Sequence, residues 1–541
     1  MPAEKSEKSG FQTLRSSAKN GGANSRDQAA LKPAGNQNGK VTAPGNLIGL
    51  NGKATYRASN NETEKKISPA TVLPEEVESA GTAIGAPEEN SPPPERETTY
   101  LEQKKRKKKE KRSAQDRKLL DGEKWLARNG HNLTYVGLYL FSILVFFRPY
   151  ELIPALSFLS TSAFIFALAT LAVYIPTQLS TEGSLTVLST EVKCILALAL
   201  ISLVTIPFAK SPPTAWLTFN ETFIKAVLMF VVMVNVLRTR RRLMSLLWLS
   251  MAVGLYLSYT ALTLYMNGEF KVEGYRVDAE VKGLFGNAND LALHLVMMTP
   301  IAHALALGSR STLMRVIYYV MTGLFVAAST VTYSRGGFLG LLAVGAILVW
   351  KLGRKSRLKL ILASMVVGGL FILISPGNYG LRMLSIFIPS LDPVGSSDQR
   401  RELLERSILV SLRNPWGIGI GNFPIVGIQN LVTHNAYTQV SAELGLLGLL
   451  AYLIFMVSPF RKLGAIERAL FEKNELDWFY YLSIGLQASI VGFLVSSFFV
   501  SVAYNWFIYY LIAYAVAFRR IYNIEKGIGE KEKDAFGLRT I

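Results

Sequence analysis

Cysteine is almost missing. Cys194 is the only one in 541 residues, which excludes a disulfide scaffold and any zinc or iron–sulfur centre built on thiolates. Histidine is scarce too: four residues are too few for a His-rich metal centre. Charge is thin, at 18% of residues, where a soluble domain carries about a quarter. Aromatic residues are missing from most of the first hundred positions, which hold only Phe11, Tyr56 and Tyr100. The same region is rich in Ser, Asn, Gly, Glu and Lys, and residues 1–120 carry nine of the chain's 22 prolines. It has no sustained apolar period, so it cannot bury enough apolar surface to offset its ordering entropy. The composition predicts a disordered basic tail over 1–120. No apolar run follows its first lysines, so it does not read as a signal peptide.

What the chain has in abundance is apolar residue: half of it is hydrophobic. Lys and Arg number 58 against 39 Asp and Glu, a net charge of +19. Such a balance could indicate nucleic acid, but the basic residues sit between long apolar runs. That pattern belongs to a polytopic membrane protein whose basic loops are held in the cytoplasm. A span needs about 20 mostly apolar residues. Twelve are predicted, near 133–149, 157–176, 192–209, 220–237, 243–265, 289–308, 315–333, 336–352, 358–375, 436–457, 478–499 and 503–518. The fold expected is all-α, a transmembrane domain over 121–520 followed by a short cytoplasmic tail over 521–541.

Charge sets the expected orientation. Lys104 to Arg112 is a nearly unbroken basic run just before the first span, an anchor that keeps the N-terminus in the cytoplasm and touches anionic headgroups. The even-numbered loops then face the cytoplasm. They carry Arg238, Arg240, Arg241 and Arg242, then Arg310 and Arg315, then Lys351, Arg354, Lys355, Arg357 and Lys359, then Arg461, Lys462 and Arg468. Arg519 and Arg520 close the last span on the same side. Only the loop near 177–191 lacks basic residues. Both termini are expected in the cytoplasm. Two outer loops are long enough for function, about 266–288 and about 376–435, the second too long for a connector.

Charges held at a membrane are costly, so those on the outer side are candidates for function. Three stand out: Arg335 between two spans, Arg400 in the long loop, and His434 at the mouth of span ten. Arginine stays charged and presents a planar fork that matches phosphate oxygens. Histidine takes a proton near neutral pH. The set suits transfer from a diphosphate leaving group to a hydroxyl. Each residue also has a plainer reading. Arg335 could snorkel to headgroups. Arg400 and Arg401 could form the solvated face of a helix, and His434 or Asn435 could cap span ten. His294 and His303 fall within span six, where packed histidines are expected. Gly417 to Gly421 lacks the Gly-Lys-Ser/Thr ending of a nucleotide-binding loop and reads as a tight turn.

Four pieces of the stretch 283–448 together resemble the O-antigen ligase and O-antigen polymerase family of bacterial membrane glycosyltransferases. The first is Arg276 followed by Gly283-Leu284-Phe285-Gly286-Asn287-Ala288-Asn289, with Ala288 where the family usually has proline. The second is Thr332-Tyr333-Ser334-Arg335-Gly336-Gly337. The third runs from Arg400 to Pro415 and on through Gly417, Gly419 and Gly421 to Phe423, with Leu404 where a tryptophan is common. The fourth is His434-Asn435-Ala436-Tyr437 with Glu443, Gly445 and Gly448.

The resemblance implies a helical GT-C-type membrane fold in the bacterial cytoplasmic membrane. It implies an undecaprenyl-diphosphate-linked glycan donor and a lipid or glycan acceptor, used on the outer face with no cofactor, metal or nucleotide. By motif, Arg335 and Arg400 would bind the diphosphate and His434 would be the base. Arg276, Arg401, Glu443 and Asn435 are further candidates for substrate binding. The alternative from a different class is an anion transporter, for which twelve spans are also common. A carrier should set polar groups near the midplane, on interrupted helices related by an internal repeat. No such repeat is visible here.

Overall fold

In a computed structural model of the chain, the described residues are 107 and 129–527, without 154, 158–161, 271–273, 279–284, 376, 378, 387, 389 and 391–395. Apart from Lys107, the expected tail and its basic run lie outside the described residues, as do Gly283, Leu284 and residues 528–541.

Helices account for the regular structure, and no β-strand occurs among the described residues. Short turns of helix such as Pro149–Leu152 and Pro212–Thr218 aside, they are in chain order α1 (129–146), α2 (Ser162–Glu182), α3 (Thr190–Thr205), α4 (Ile224–Val236), α5 (Arg240–Met266), α6 (Ala288–Gly308), α7 (Thr312–Val331), α8 (Arg335–Leu352) and α9 (Arg357–Ile374). Two further helices, α10 (Tyr379–Leu384) and α11 (Ser396–Arg413), fill much of the long loop. The chain returns through α12 (Ala436–Glu472), α13 (Trp478–Ser496) and α14 (Trp506–Glu525). Every predicted span is met by a helix. Nine helices among the described residues are long and apolar enough to cross a membrane; α1, α9 and α14 supply the remaining three positions. The chain is an all-α polytopic membrane protein.

The helix starts follow local chemistry. Ser189, Thr239, Asn287, Ser334, Asn435 and Asp477 each begin a long helix with a side-chain oxygen on a first-turn N–H, satisfying donors that have no partner within the helix. α6 lies at the centre, nearly all of its residues buried, against α5, α7, α8 and α13. Small residues permit the close approaches. A Cβ on Gly340 would lie 2.0 Å from the Ser496 hydroxyl, and one on Gly337 would lie 2.8 Å from Ala292, the small-residue packing of membrane helices. The outward faces are apolar instead. On α9, Leu358, Ile361, Leu362, Met365 and Val366 are exposed, which fits a hydrocarbon surround rather than water.

The loops sort into two ends. At one, the Lys210 N–H bonds the Ile418 carbonyl, the Arg276 Nε bonds the Thr332 carbonyl and Thr433 bonds Ser501. The third, fifth, seventh, ninth and eleventh loops thus meet at this end. At the opposite end, three glutamates each gather two cations from elsewhere in the chain. Glu182 holds Arg238 and Arg520, both at 2.8 Å. Buried Glu191 holds Lys462 at 3.0 Å and Arg519 at 3.5 Å. Buried Glu467 holds Lys351 at 2.8 Å and Arg354 at 2.5 Å. This accounts for the one even loop without basic residues: Glu182 and Glu191 flank it, and they neutralise cations that arrive from elsewhere.

Removing one of these carboxylates would leave two half-buried cations facing each other. Breaking a buried ion pair costs roughly 3–5 kcal/mol. Glu467→Ala is therefore expected to lower the thermal unfolding midpoint in detergent well below that of Glu405→Ala. The Glu405 pair with Arg401 is mostly exposed, and such a pair contributes roughly 0–1 kcal/mol.

Candidate functional site

Two turns at the odd-loop end share one local design. In Thr332-Tyr333-Ser334 and in Thr433-His434-Asn435 the threonine hydroxyl accepts the N–H two residues on, at 3.2 and 3.3 Å. The middle residue takes a left-handed backbone, φ 50° at Tyr333 and 51° at His434. The third residue caps a long helix: Ser334 accepts from the Gly337 N–H at 3.2 Å, and Asn435 from Tyr437 and Thr438 at 2.9 and 3.0 Å. Left-handed backbone in a residue with a side chain costs about 1–3 kcal/mol and persists only where the surroundings impose it. One turn delivers Arg335 as the first residue of α8. The other presents His434 one residue ahead of the cap of α12.

The first turn is held by two other arginines. Arg276 is buried. Its Nε donates to the Thr332 carbonyl and its Nη2 to the Asn289 side-chain oxygen, each at 2.9 Å. The Ser334 hydroxyl donates to the same Asn289 oxygen, also at 2.9 Å. Arg382, on α10, donates from Nε to the Tyr333 carbonyl at 2.9 Å and stacks its guanidinium 4.9 Å from the Tyr275 ring. Tyr275, Tyr333 and Tyr379 pack edge to face, with ring centres 5.5 and 5.7 Å apart. Arg276 thus serves as a strut that sets the Arg335 turn. Sequence reasoning missed Arg382; its one signal was a lone arginine within the apolar stretch Leu381–Leu384.

Arg400 and His434 are neighbours. His434 is half-buried, and its imidazole has no hydrogen bond to another described residue. Its pKa is lowered from the ordinary 6.5, first by burial and then by the positive charge of Arg400. Arg400 shares its face of α11 with buried Leu403 and Ser407, three and seven residues on, and this face packs on α12. Arg401 falls on the exposed side and pairs with Glu405 at 3.1 Å. Arg335 comes to the same end by a shared neighbour, the end of α13. There the Ser496 hydroxyl bonds the Gly336 carbonyl at 3.0 Å, and Ser501 bonds Thr433 at 2.9 Å, beside His434.

Asn435 and Glu443 act through the backbone. Asn435 is the helix cap, so the plainer reading holds for it and not for His434. Glu443 is buried. Its carboxylate accepts the Phe423 N–H at 3.2 Å and faces the Gly421 N–H and Tyr504. The glycines explain its setting. α12 is interrupted at Gly445, φ 72° and ψ −174°. Residues 415–419 run alongside the break, with Ile418 and Gly419 N–H groups on the Ala442 and Glu443 carbonyls at 2.9 Å. A Cβ on Gly417, where φ is 88°, would lie 2.4 Å from the Glu443 carbonyl oxygen. The segment Gly417 to Gly421 is therefore a strap against a broken helix, and it contains the tight turn expected, closed by the Asn422 N–H on the Gly419 carbonyl at 3.2 Å. It also docks on the Lys210-Ser211 turn through Asn422. Away from the site, His294 is packed among Phe146, Phe285 and Phe507 and hydrogen-bonded to the Ser250 carbonyl, as expected of a core histidine.

Residues 320–453 match the family model described as O-antigen ligase. The match takes in Arg335, Arg382, Arg400, the glycine strap, His434 and Glu443, and leaves Arg276 outside. No curated protein matches the chain.

Proposed function

From an O-antigen ligase domain at residues 320–453, we propose that the chain is a membrane glycosyltransferase of cell-surface glycan biosynthesis. It takes the glycan of an undecaprenyl-diphosphate-linked donor on the outer face of the bacterial cytoplasmic membrane and joins it to a lipid or glycan hydroxyl. The observation that carries the reading is the arginine–histidine pair Arg400 and His434, set at the same end as the Arg335 turn. The basic even loops support a cytoplasmic placement of the opposite end.

In the proposed reaction the acceptor oxygen attacks the anomeric carbon of the donor sugar. The bond from that carbon to the diphosphate oxygen breaks, and the lipid diphosphate leaves with the electron pair. Arg335 and Arg400 stabilise the growing negative charge by fork-shaped hydrogen bonds. The acceptor proton passes to His434. Arg276 and Arg382 hold the Arg335 turn, and Glu443 holds the strap beside α12. The transporter alternative calls for charged groups near the membrane midplane; these arginines lie in loops and at a helix start.

A base must be neutral to accept a proton. Because burial and Arg400 keep the His434 pKa below 6.5, the imidazole stays neutral through neutral pH. Transfer is expected to fall only as pH drops through that lowered value, so the acid limb of the rate profile should have its midpoint below 6.5. Arg400→Gln removes the cation and should move the midpoint of the residual activity upward, whereas Arg400→Lys should leave it low. Initial rates against pH for the three proteins decide this; an unmoved midpoint in Arg400→Gln would break the proposed pairing.

Deleting the gene and analysing surface glycans separates the two reactions of the family. Loss of chain length indicates a polymerase, and full-length polymer retained on its lipid carrier indicates a ligase. Unchanged glycans would refute the proposal.

A further inference from the structure

The end opposite the candidate site contains a cavity of about 960 Å³ that the proposed reaction does not use. It lies where α5 and α13 begin and where α6 passes into α7, so it sits at the ends of four candidate spans. Arg240, Arg310, Arg315 and Lys526 line it. Two acids line it as well, and both are engaged. Glu475 holds Lys526 at 2.5 Å. Asp477 caps α13 through the Phe479 and Tyr480 N–H groups. Arg240 sits over the Trp478 ring, 4.1 Å from its centre, a cation–π contact that does not use up its N–H donors. Arg315 donates one N–H to the Ser309 carbonyl at 3.0 Å, which ties its side chain to the loop that lines the cavity.

Apolar residues line the cavity too, Leu305, Leu307 and Met314 among them, and Met314 is exposed. A cationic, aromatic-backed pocket at the ends of four candidate spans fits an anionic headgroup whose acyl chains lie in the surrounding bilayer. Basic pockets between spans on the cytoplasmic side take anionic lipid headgroups.

We propose that this cavity binds the headgroup of an anionic glycerophospholipid of the leaflet at the basic end, its phosphate among Arg240, Arg310 and Arg315. The site is independent of the transfer reaction.

The test uses the full chain purified in mild detergent, titrated with phosphatidylglycerol or with phosphatidylcholine of the same acyl chains, and bound lipid counted by native mass spectrometry. Phosphatidylglycerol is expected to bind at least about tenfold more tightly. The double variant Arg310→Gln/Arg315→Gln, at exposed positions, should bring its affinity to the phosphatidylcholine level, with an unchanged unfolding midpoint. Arg310→Glu, a charge reversal at one exposed position, should weaken it by itself. Soluble glycerol phosphate should not compete at the same concentration. Equal binding of the two lipids, affinity unchanged in both variants, or competition by glycerol phosphate as strong as by the lipid would overturn the proposal.

Discussion

Replacing His434 with alanine is expected to abolish glycan transfer while donor binding survives. The imidazole is half-buried, kept neutral by its surroundings and without a hydrogen bond to another described residue, so its removal breaks no hydrogen bond among them. General-base assistance typically contributes about 10²–10⁴-fold, a loss visible in any transfer assay. His434→Asn sharpens the test. Asparagine tolerates the left-handed backbone of this turn, so the helix start is kept and only the proton acceptor is lost. If His434 merely shaped the start of α12, His434→Asn would retain near-normal transfer. Asn435→Ala, by contrast, removes the actual cap and should cost about 0.5–2 kcal/mol of stability. The two neighbours are thus expected to separate cleanly, one losing rate and the other losing stability.

Lysine at Arg335 or Arg400 is expected to cost about 10²-fold in transfer even though charge is kept. An ammonium is a point donor and cannot present two parallel N–H groups to a diphosphate. Removing one preorganised donor to a developing charge typically costs about 10²–10³. Arg401→Lys supplies the internal control. Arg401 is exposed and paired with Glu405 within its own helix, so its variant should transfer normally. Membrane insertion and unfolding midpoint would be measured alongside. Normal transfer by both Arg335→Lys and Arg400→Lys would leave the two arginines as interfacial groups only.

Much of the fold was legible because a bilayer imposes a simple rule on composition and length. Every predicted span is met by a helix, with ends displaced by a few residues where caps such as Ser334 and Asn435 set the start. The interior of the long loop was less legible. α10 is only six residues long, and its Arg382 gains meaning through the Tyr333 carbonyl, 49 residues away in sequence. The glycine strap could be named from its residues but not placed. Its partner is a break inside α12, and a helix interrupted at Gly445 looks like any apolar run with small residues. The motif residues divide in a way that spacing cannot reveal. Asn289, Ser334, Asn435 and Glu443 bond backbone or other side chains, whereas His434 does not. A local pattern records that positions matter; only three-dimensional neighbours tell a strut from a group left to act on a substrate.

The central claim is transfer from a lipid diphosphate, and purified protein in proteoliposomes tests it most directly. The vesicles would contain undecaprenyl-diphosphate-linked glycan and an acceptor, with no nucleotide sugar, and the released undecaprenyl diphosphate would be followed together with the joined product. The account predicts that both appear in equal amounts with the wild-type chain, and that neither appears above background with His434→Ala in the same membranes. Product formed equally by His434→Ala, or no release of undecaprenyl diphosphate by a folded, inserted wild-type protein offered its donor and acceptor, would contradict it.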